Sequence, residues 1–135
     1  MTAAELVAEL GRRFRAGDGD GARALLHPDF RIEQPASLPH GGWHDGPDGM
    51  AAMGASFAQH WTRTIGDASI LGDGDQAVQL TNQTWTSVAT GRSATVDVVE
   101  LFRTADDLIL EIRVFQQDTA ALLDTLGEVA QPPRL

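Results

Sequence analysis

Near the start of the chain, apolar residues recur at Leu6, Val7, Leu10 and Phe14, at spacings that place them on one stripe of a helix over residues 2–15. Thr2 followed by Glu5 supplies a capping box. Gly17-Asp18-Gly19-Asp20-Gly21 breaks that helix, and a short second helix over 22–26 is expected before His27-Pro28 stops it. His27 then sits at a helix end, where an imidazole complements the dipole. Residues 30–34 alternate as a short strand closed by Pro35. Residues 36–48, with two prolines and several glycines, read as a loop that carries His40, Trp43 and His44. Asp45 or Asp48 caps a third helix reaching about Trp61, with Met50, Met53, Phe57 and His60 or Trp61 on one face.

The second half changes period. Residues 68–71, 77–88, 93–103 and 108–117 are strand-like, separated by Asp73-Gly74-Asp75, Thr90-Gly91 and Ala105-Asp106-Asp107. They read as consecutive hairpins of one strongly curved antiparallel sheet. Asp118 caps a last helix over 119–126, ended by Gly127. Helices followed by a meander give an α+β class, a cone-shaped barrel of curved sheet wrapped on N-terminal helices. One domain over 1–128 and a tail over 129–135 are expected. Three helices do not fill such a cone, so a pocket between sheet and helices is the expected ligand site.

Composition removes several chemistries. All ten basic residues are arginine and none is lysine, which excludes Schiff bases, lysine general bases and a phosphate-binding P-loop. The net charge is −9, and the basic cluster Arg12, Arg13 and Arg15 lies beside Glu5, Glu9 and Asp18, so no nucleic-acid partner is expected. Without cysteine there is no disulfide and no thiolate chemistry. His40 and His44 have a spacing that suits a metal only on a helix, which Gly41-Gly42 forbids, so no metal and no other cofactor is expected. No apolar run is long enough to cross a bilayer. The first residues lack a secretory leader's charge and apolar core, giving a cytoplasmic expectation.

Several strings in this order resemble one family. They are Ala16-Gly17-Asp18, Leu26-His27-Pro28-Asp29-Phe30 running into Glu33-Gln34-Pro35, Ala36-Ser37-Leu38-Pro39-His40-Gly41-Gly42, Val98-Val99-Glu100-Leu101-Phe102-Arg103 and Glu111-Ile112-Arg113-Val114-Phe115. Together they resemble the cystatin-like α+β cone of the nuclear transport factor 2 superfamily. Within it they are most like the SnoaL-like branch, which includes polyketide cyclases; ketosteroid isomerase and limonene epoxide hydrolase are more distant relatives. The resemblance implies an NTF2-like cone over nearly the whole chain. It also implies that Glu100 stands where the isomerase holds a protonated carboxylic acid. The isomerase's aspartate base is replaced here by Gln34, and its tyrosine is missing from a chain without tyrosine.

Strand phase supports a pocket position for Glu100, which shares a face with Ala94, Val96, Val98 and Phe102. Asp97, one residue out of phase, belongs to the opposite face. The expected catalytic set is Glu100 as acid, Gln34 as a polar orienter and His40 as base, with His44 as the alternative base. The expected ligand wall is Trp43, His44, Met53, Phe57, Trp61, Gln83, Trp85, Val98, Phe102, Ile112, Val114 and Gln116, with Trp43 as a lid over the mouth. Neither Arg103 nor Arg113 has the phase to pair with Glu100. A cluster of Glu100, Arg103, Arg113 and Asp97, as in the epoxide hydrolase, needs a bulge.

The expected function is binding of a small, mostly apolar carbonyl compound, with cofactor-free isomerase- or cyclase-type proton transfer. The alternative is a non-catalytic module that holds a hydrophobic ligand or serves as a dimeric scaffold. Homodimerisation through the convex sheet face, including Val99 and Leu101, is expected in either case.

Overall fold

In the computed structural model, residues 1–127 are described. The expected domain boundary at residue 128 and the tail beyond it lie outside them. The elements run α1 (Ala3–Arg15), α2 (Gly19–Arg23), β1 (Leu26–Gln34), β2 (Gly42–Asp45), α3 (Gly46–Ala58), β3 (Trp61–Ile65), β4 (Ser69–Asp73), β5 (Gln76–Ser87), β6 (Ser93–Ala105), β7 (Leu108–Gln116) and α4 (Thr119–Asp124). The capping box of α1 forms as expected: the Thr2 hydroxyl accepts from the Glu5 amide, and the Glu5 carboxylate accepts from the Thr2 amide. Asp106 and Asp107 both take positive φ, the geometry of a tight turn between β6 and β7.

All seven strands join one strongly curved sheet, ordered β2-β1-β7-β6-β5-β3, with β4 also paired to β5. The α+β cone is therefore the observed architecture, but the sheet is mixed. β1 and β7 run parallel, an arrangement a chain can make only through a long crossover. Here the remaining strands and helices supply that crossover. The hydrophobic core is formed by α1 and α2 against the concave sheet face, with Leu122 of α4 sealing one end.

Three local expectations are corrected. Pro28 does not end a helix that reaches Leu26. α2 stops at Arg23, and β1 begins at Leu26 and carries His27 and Pro28 through an irregular register with β7. His27 is thus a strand residue, with its Nε2 3.2 Å from an Asp106 carboxylate oxygen. Residues 42–45 form β2 against β1 instead of a free loop. Finally, α3 ends at Ala58, and residues 61–65 are a strand paired to β5. A helix terminus hides this strand, although Trp61-Thr62-Arg63-Thr64-Ile65 carries the alternation and β-branching of one.

Outside the cone, the convex face leaves apolar side chains uncovered. Leu80, Val99 and Phe115 lie opposite one another across β5, β6 and β7, and each is exposed. No helix of the described residues is long and apolar enough to cross a membrane.

The end of the cone is closed by a buried polar clasp. The Trp61 indole N–H donates to the Thr125 hydroxyl at 2.8 Å, and that hydroxyl donates to the Leu122 carbonyl at 2.6 Å. In Thr125→Val the indole N–H loses its acceptor in a water-excluded place. The expected cost is about 1–3 kcal/mol, read as a lowered urea midpoint with an unchanged slope; an unchanged midpoint would show that the clasp contributes nothing.

Candidate functional site

Alternation along β5 sends Thr81, Gln83, Trp85 and Ser87 to the concave face. Their polar atoms satisfy one another: the Trp85 indole N–H donates to Gln83 Oε1 at 2.9 Å, and Gln83 Nε2 donates to Thr81 Oγ1 at 2.9 Å. This ladder holds the Trp85 ring flat against the interior. Phe57 from α3 meets it edge-on at 4.8 Å between centroids, and Trp61 lies 5.1 Å away.

His40 is enclosed by these three rings, at 5.4 Å from Phe57, 6.0 Å from Trp61 and 5.8 Å from Trp85. The tight path of the chain after it requires Gly41, since a Cβ there would stand 2.4 Å from the Pro35 carbonyl oxygen. Burial of the ring, with Arg63, His44 and His60 adding positive potential, lowers the His40 pKa from 6.5 to about 4. At neutral pH the imidazole is uncharged.

Two cavities meet on this face. The inner chamber, about 60 Å³, is lined by Gln34, His40, Met53, Gly54, Phe57, Arg63, Gln83, Trp85, Val98, Glu100, Val114 and Gln116. Its volume has room for about two water molecules. Gln34 Oε1, His40 Nδ1 and Gln116 Oε1 are buried around it without a protein partner. The outer cleft, about 490 Å³, lies between α1 and the sheet, with Val7, Leu10, Phe14, Ile65, Phe102 and Ile112 among its walls. Arg63, Gln83 and Glu100 belong to both. Met53, Phe57 and Trp85 narrow the inner end, and the larger space is the outer cleft.

Glu100 lies opposite Gln79 on one side and Val114 on the other, and one of its oxygens accepts from Gln79 Nε2 at 3.0 Å. Burial is the main influence on its acid group and raises its pKa, opposed by the Gln79 hydrogen bond and by the charge of Arg63. Arg63, opposite Trp85 in register, places its guanidinium carbon 5.0 Å from the Phe57 ring centroid. Burial lowers its pKa, and Glu100 opposes that. By accessible surface Arg63 is exposed and Glu100 half-buried. The surface they keep is cavity wall, where surrounding protein still thins the hydration of both.

Of the residues expected from sequence, Gln34, His40, Met53, Phe57, Gln83, Trp85, Val98, Glu100, Val114 and Gln116 converge on the inner chamber, and Phe102 and Ile112 line the outer cleft. Trp43, His44 and Trp61 line neither. Trp43 is no lid: its register with Glu33 puts it on the convex side, under the Arg31 guanidinium at 4.2 Å. His44 turns its Nε2 to the His40 carbonyl oxygen at 2.8 Å, which supports the backbone beside the chamber. Trp61 is sealed behind Phe57 and Trp85. The epoxide-hydrolase type of cluster does not form, because Arg113 pairs with Glu33 and Asp97 accepts from Asn82, both away from the cavities. The residue missed is Arg63. Counting phase from Trp61 along an alternating segment finds it once residues 61–65 are read as a strand.

His40 and Glu100 tie stability to pH in opposite senses. Between pH 6.5 and about 4 the unfolded chain protonates a histidine that the folded chain keeps neutral, so His40 removes stability as pH falls. Above pH 4.5 the unfolded chain ionises a glutamate that the folded chain holds protonated, so Glu100 removes stability as pH rises. Urea unfolding from pH 4 to 7 should show His40→Asn gaining on the parent protein as pH falls and Glu100→Gln gaining as pH rises; parallel curves would refute both.

Residues 7–112 match the SnoaL-like domain family. An NTF2-like protein from Burkholderia thailandensis superposes with a TM-score of 0.87 at 19% identity, covering 94% of this chain and 98% of that one. Another from Burkholderia pseudomallei gives 0.83 at 25% identity, covering 94% and 99%. A candidate polyketide cyclase from Pseudomonas putida gives 0.79 at 18% identity, covering 94% and 99%. Among curated proteins, indole-3-acetaldehyde oxidase from Arabidopsis thaliana is 29% identical over 80 residues, which is 56% of this chain and 6% of that protein. This chain thus spans a small fraction of that relative's length. The matched span, the mixed curved sheet and the helices on its concave side agree, and the chain belongs to the SnoaL-like domain family, with the NTF2-like fold.

Proposed function

We propose that the chain binds a small, mostly apolar carbonyl compound in the outer cleft and moves a proton on it without a cofactor, as an isomerase or cyclase does. The observation that carries this reading is Glu100, a carboxyl held by Gln79 on the wall common to cleft and chamber. A protonated Glu100 donates a hydrogen bond to the ligand oxygen and stabilises the charge that develops there. His40 borders the inner chamber and not the cleft, so it takes the proton from the carbon beside the carbonyl through a water held in that chamber. The C–H electron pair passes into an enolate held by Glu100. The proton then returns to another carbon, which is isomerisation, or the enolate carbon attacks a second carbonyl, whose oxygen takes the proton back from His40 as the ring closes.

A base with a conjugate-acid pKa of about 4 is deprotonated at neutral pH. It is close in strength to the aspartate of ketosteroid isomerase, at about 4.6. A second reading, binding without turnover, is favoured by the amide of Gln34 at the position of that aspartate and by the near-complete burial of His40. Exchange of the α-protons of 1-tetralone in deuterium oxide, followed by NMR, separates the two. Exchange above the buffer rate that drops about a hundredfold in Glu100→Ala supports catalysis, and bound ketone without exchange supports the binding module. Absence of both binding and exchange would sink the ligand reading.

The convex row Leu80, Val99 and Phe115 also supports a dimer. An uncharged stripe across antiparallel strands is self-complementary under a two-fold axis, and burying it removes apolar surface that a monomer leaves wet. Light scattering at tens of micromolar should give twice the 14.4 kDa chain mass, and Val99→Asp should return it to the chain mass; a monomer in the parent protein refutes the dimer.

A further inference from the structure

The outer cleft is walled largely by apolar side chains, yet two arginines stand in it. Arg63 reaches it from β3, where cleft and chamber meet, and Arg15 from the last turn of α1. Most other arginines are committed elsewhere. Arg12 and Arg13 pair with Glu9, Arg23 with Asp48, Arg31 with Glu111 and Arg113 with Glu33, while Arg92 donates to the Asp124 carbonyl. Among the described residues neither Arg15 nor Arg63 has an ion-pair partner. Arg103 also lacks an ion pair among the described residues but lines neither cavity, so in a chain with 19 acidic side chains against ten basic ones the cleft gathers two guanidiniums that no carboxylate pairs with. Glu100, the carboxyl on the same wall, is turned to Gln79 instead.

The inner chamber does not compete for an anion. Gln34 Oε1 and Gln116 Oε1 are acceptors without partners, which suits a hydroxyl or water better than a carboxylate. An anionic group therefore stops at the chamber rim, where Phe57 supports the Arg63 guanidinium. A guanidinium backed by an aromatic ring keeps its N–H edges for a planar, two-oxygen acceptor. The overall charge of −9 opposes any anion at a distance, which makes a local pair of arginines necessary for one to enter.

We infer that the ligand of the cleft is an apolar oxo acid: its carboxylate docks on Arg63, its carbonyl oxygen faces Glu100, and its apolar body lies along Val7, Leu10, Phe102 and Ile112. Arg15, nearer the open side, adds attraction for the same charge. This assignment rests on the reading of the cleft as the ligand site and specifies the class of compound that fits it.

Titration calorimetry with 4-oxo-4-phenylbutanoate and its methyl ester tests the assignment, since the two probes differ only in the charged end. The parent protein should bind the acid about tenfold or more tightly than the ester. Arg63→Met should lose most of that preference, the acid falling towards the ester, with an unchanged urea midpoint showing that the variant is folded. Arg63→Lys should retain part of the preference. Equal binding of acid and ester by the parent protein overturns the oxo-acid assignment and leaves the cleft as a ligand site. An undiminished preference in Arg63→Met overturns the role of Arg63. Failure of both probes to bind overturns the assignment together with the ligand reading.

Discussion

The packing of Phe57, Trp61 and Trp85 around His40 governs the inner end of this molecule. Three aromatic side chains from α3, β3 and β5 occupy what a cone of this curvature would otherwise leave open. The remaining chamber, about 60 Å³, is far smaller than the outer cleft that it opens towards. The same packing strips solvent from the imidazole and keeps it neutral. Through the Trp61 indole it also ties the sheet to the turn after α4. Cavity size, protonation state and closure of the cone therefore share one cause.

The middle of the concave face is governed by a different balance. Glu100 and Arg63 border the same space without a direct ion pair, since the carboxyl is engaged by Gln79 and the guanidinium lies against Phe57. Had they paired directly, the cleft would present a neutralised couple and little preference for any ligand charge. Held apart, they set a carboxyl whose pKa burial raises and a guanidinium at separate points of one wall.

Alternation of side chains divides the chemistry of the sheet cleanly. On the convex side the ion pairs Arg31–Glu111 and Glu33–Arg113 link the parallel strands β1 and β7, with Trp43 under Arg31. In the first pair Arg31 is exposed but Glu111 is buried, so loss of Arg31 would leave a carboxylate without its partner, whereas the second pair is partly exposed and contributes modestly to stability. Their effect on the site is to keep arginines and carboxylates of neighbouring phase out of it. Asp97, one residue from Val98, makes its hydrogen bond outside for the same reason.

Local pattern alone determined the α1 helix with its capping box, the long hairpins of the second half, and the phase that puts Val98, Glu100 and Phe102 inward. A period of two is a property of the backbone and needs no partner. It also selected the inward-facing residues of β5 and β7. Tertiary structure decided the rest. The parallel pairing of β1 with β7 joins segments about 80 residues apart, and no local signal encodes it. Pro28 reads as a stop for a helix but is equally tolerated at an irregular strand start. Trp43 and His44 read as loop residues in the sequence, and only the pairing of β2 with β1 makes them strand residues and decides which side each faces. Arg63 became visible only when residues 61–65 were seen to pair with β5. A five-residue strand directly after a helix is too short to declare itself, and its neighbour supplies both its hydrogen bonds and its inward direction.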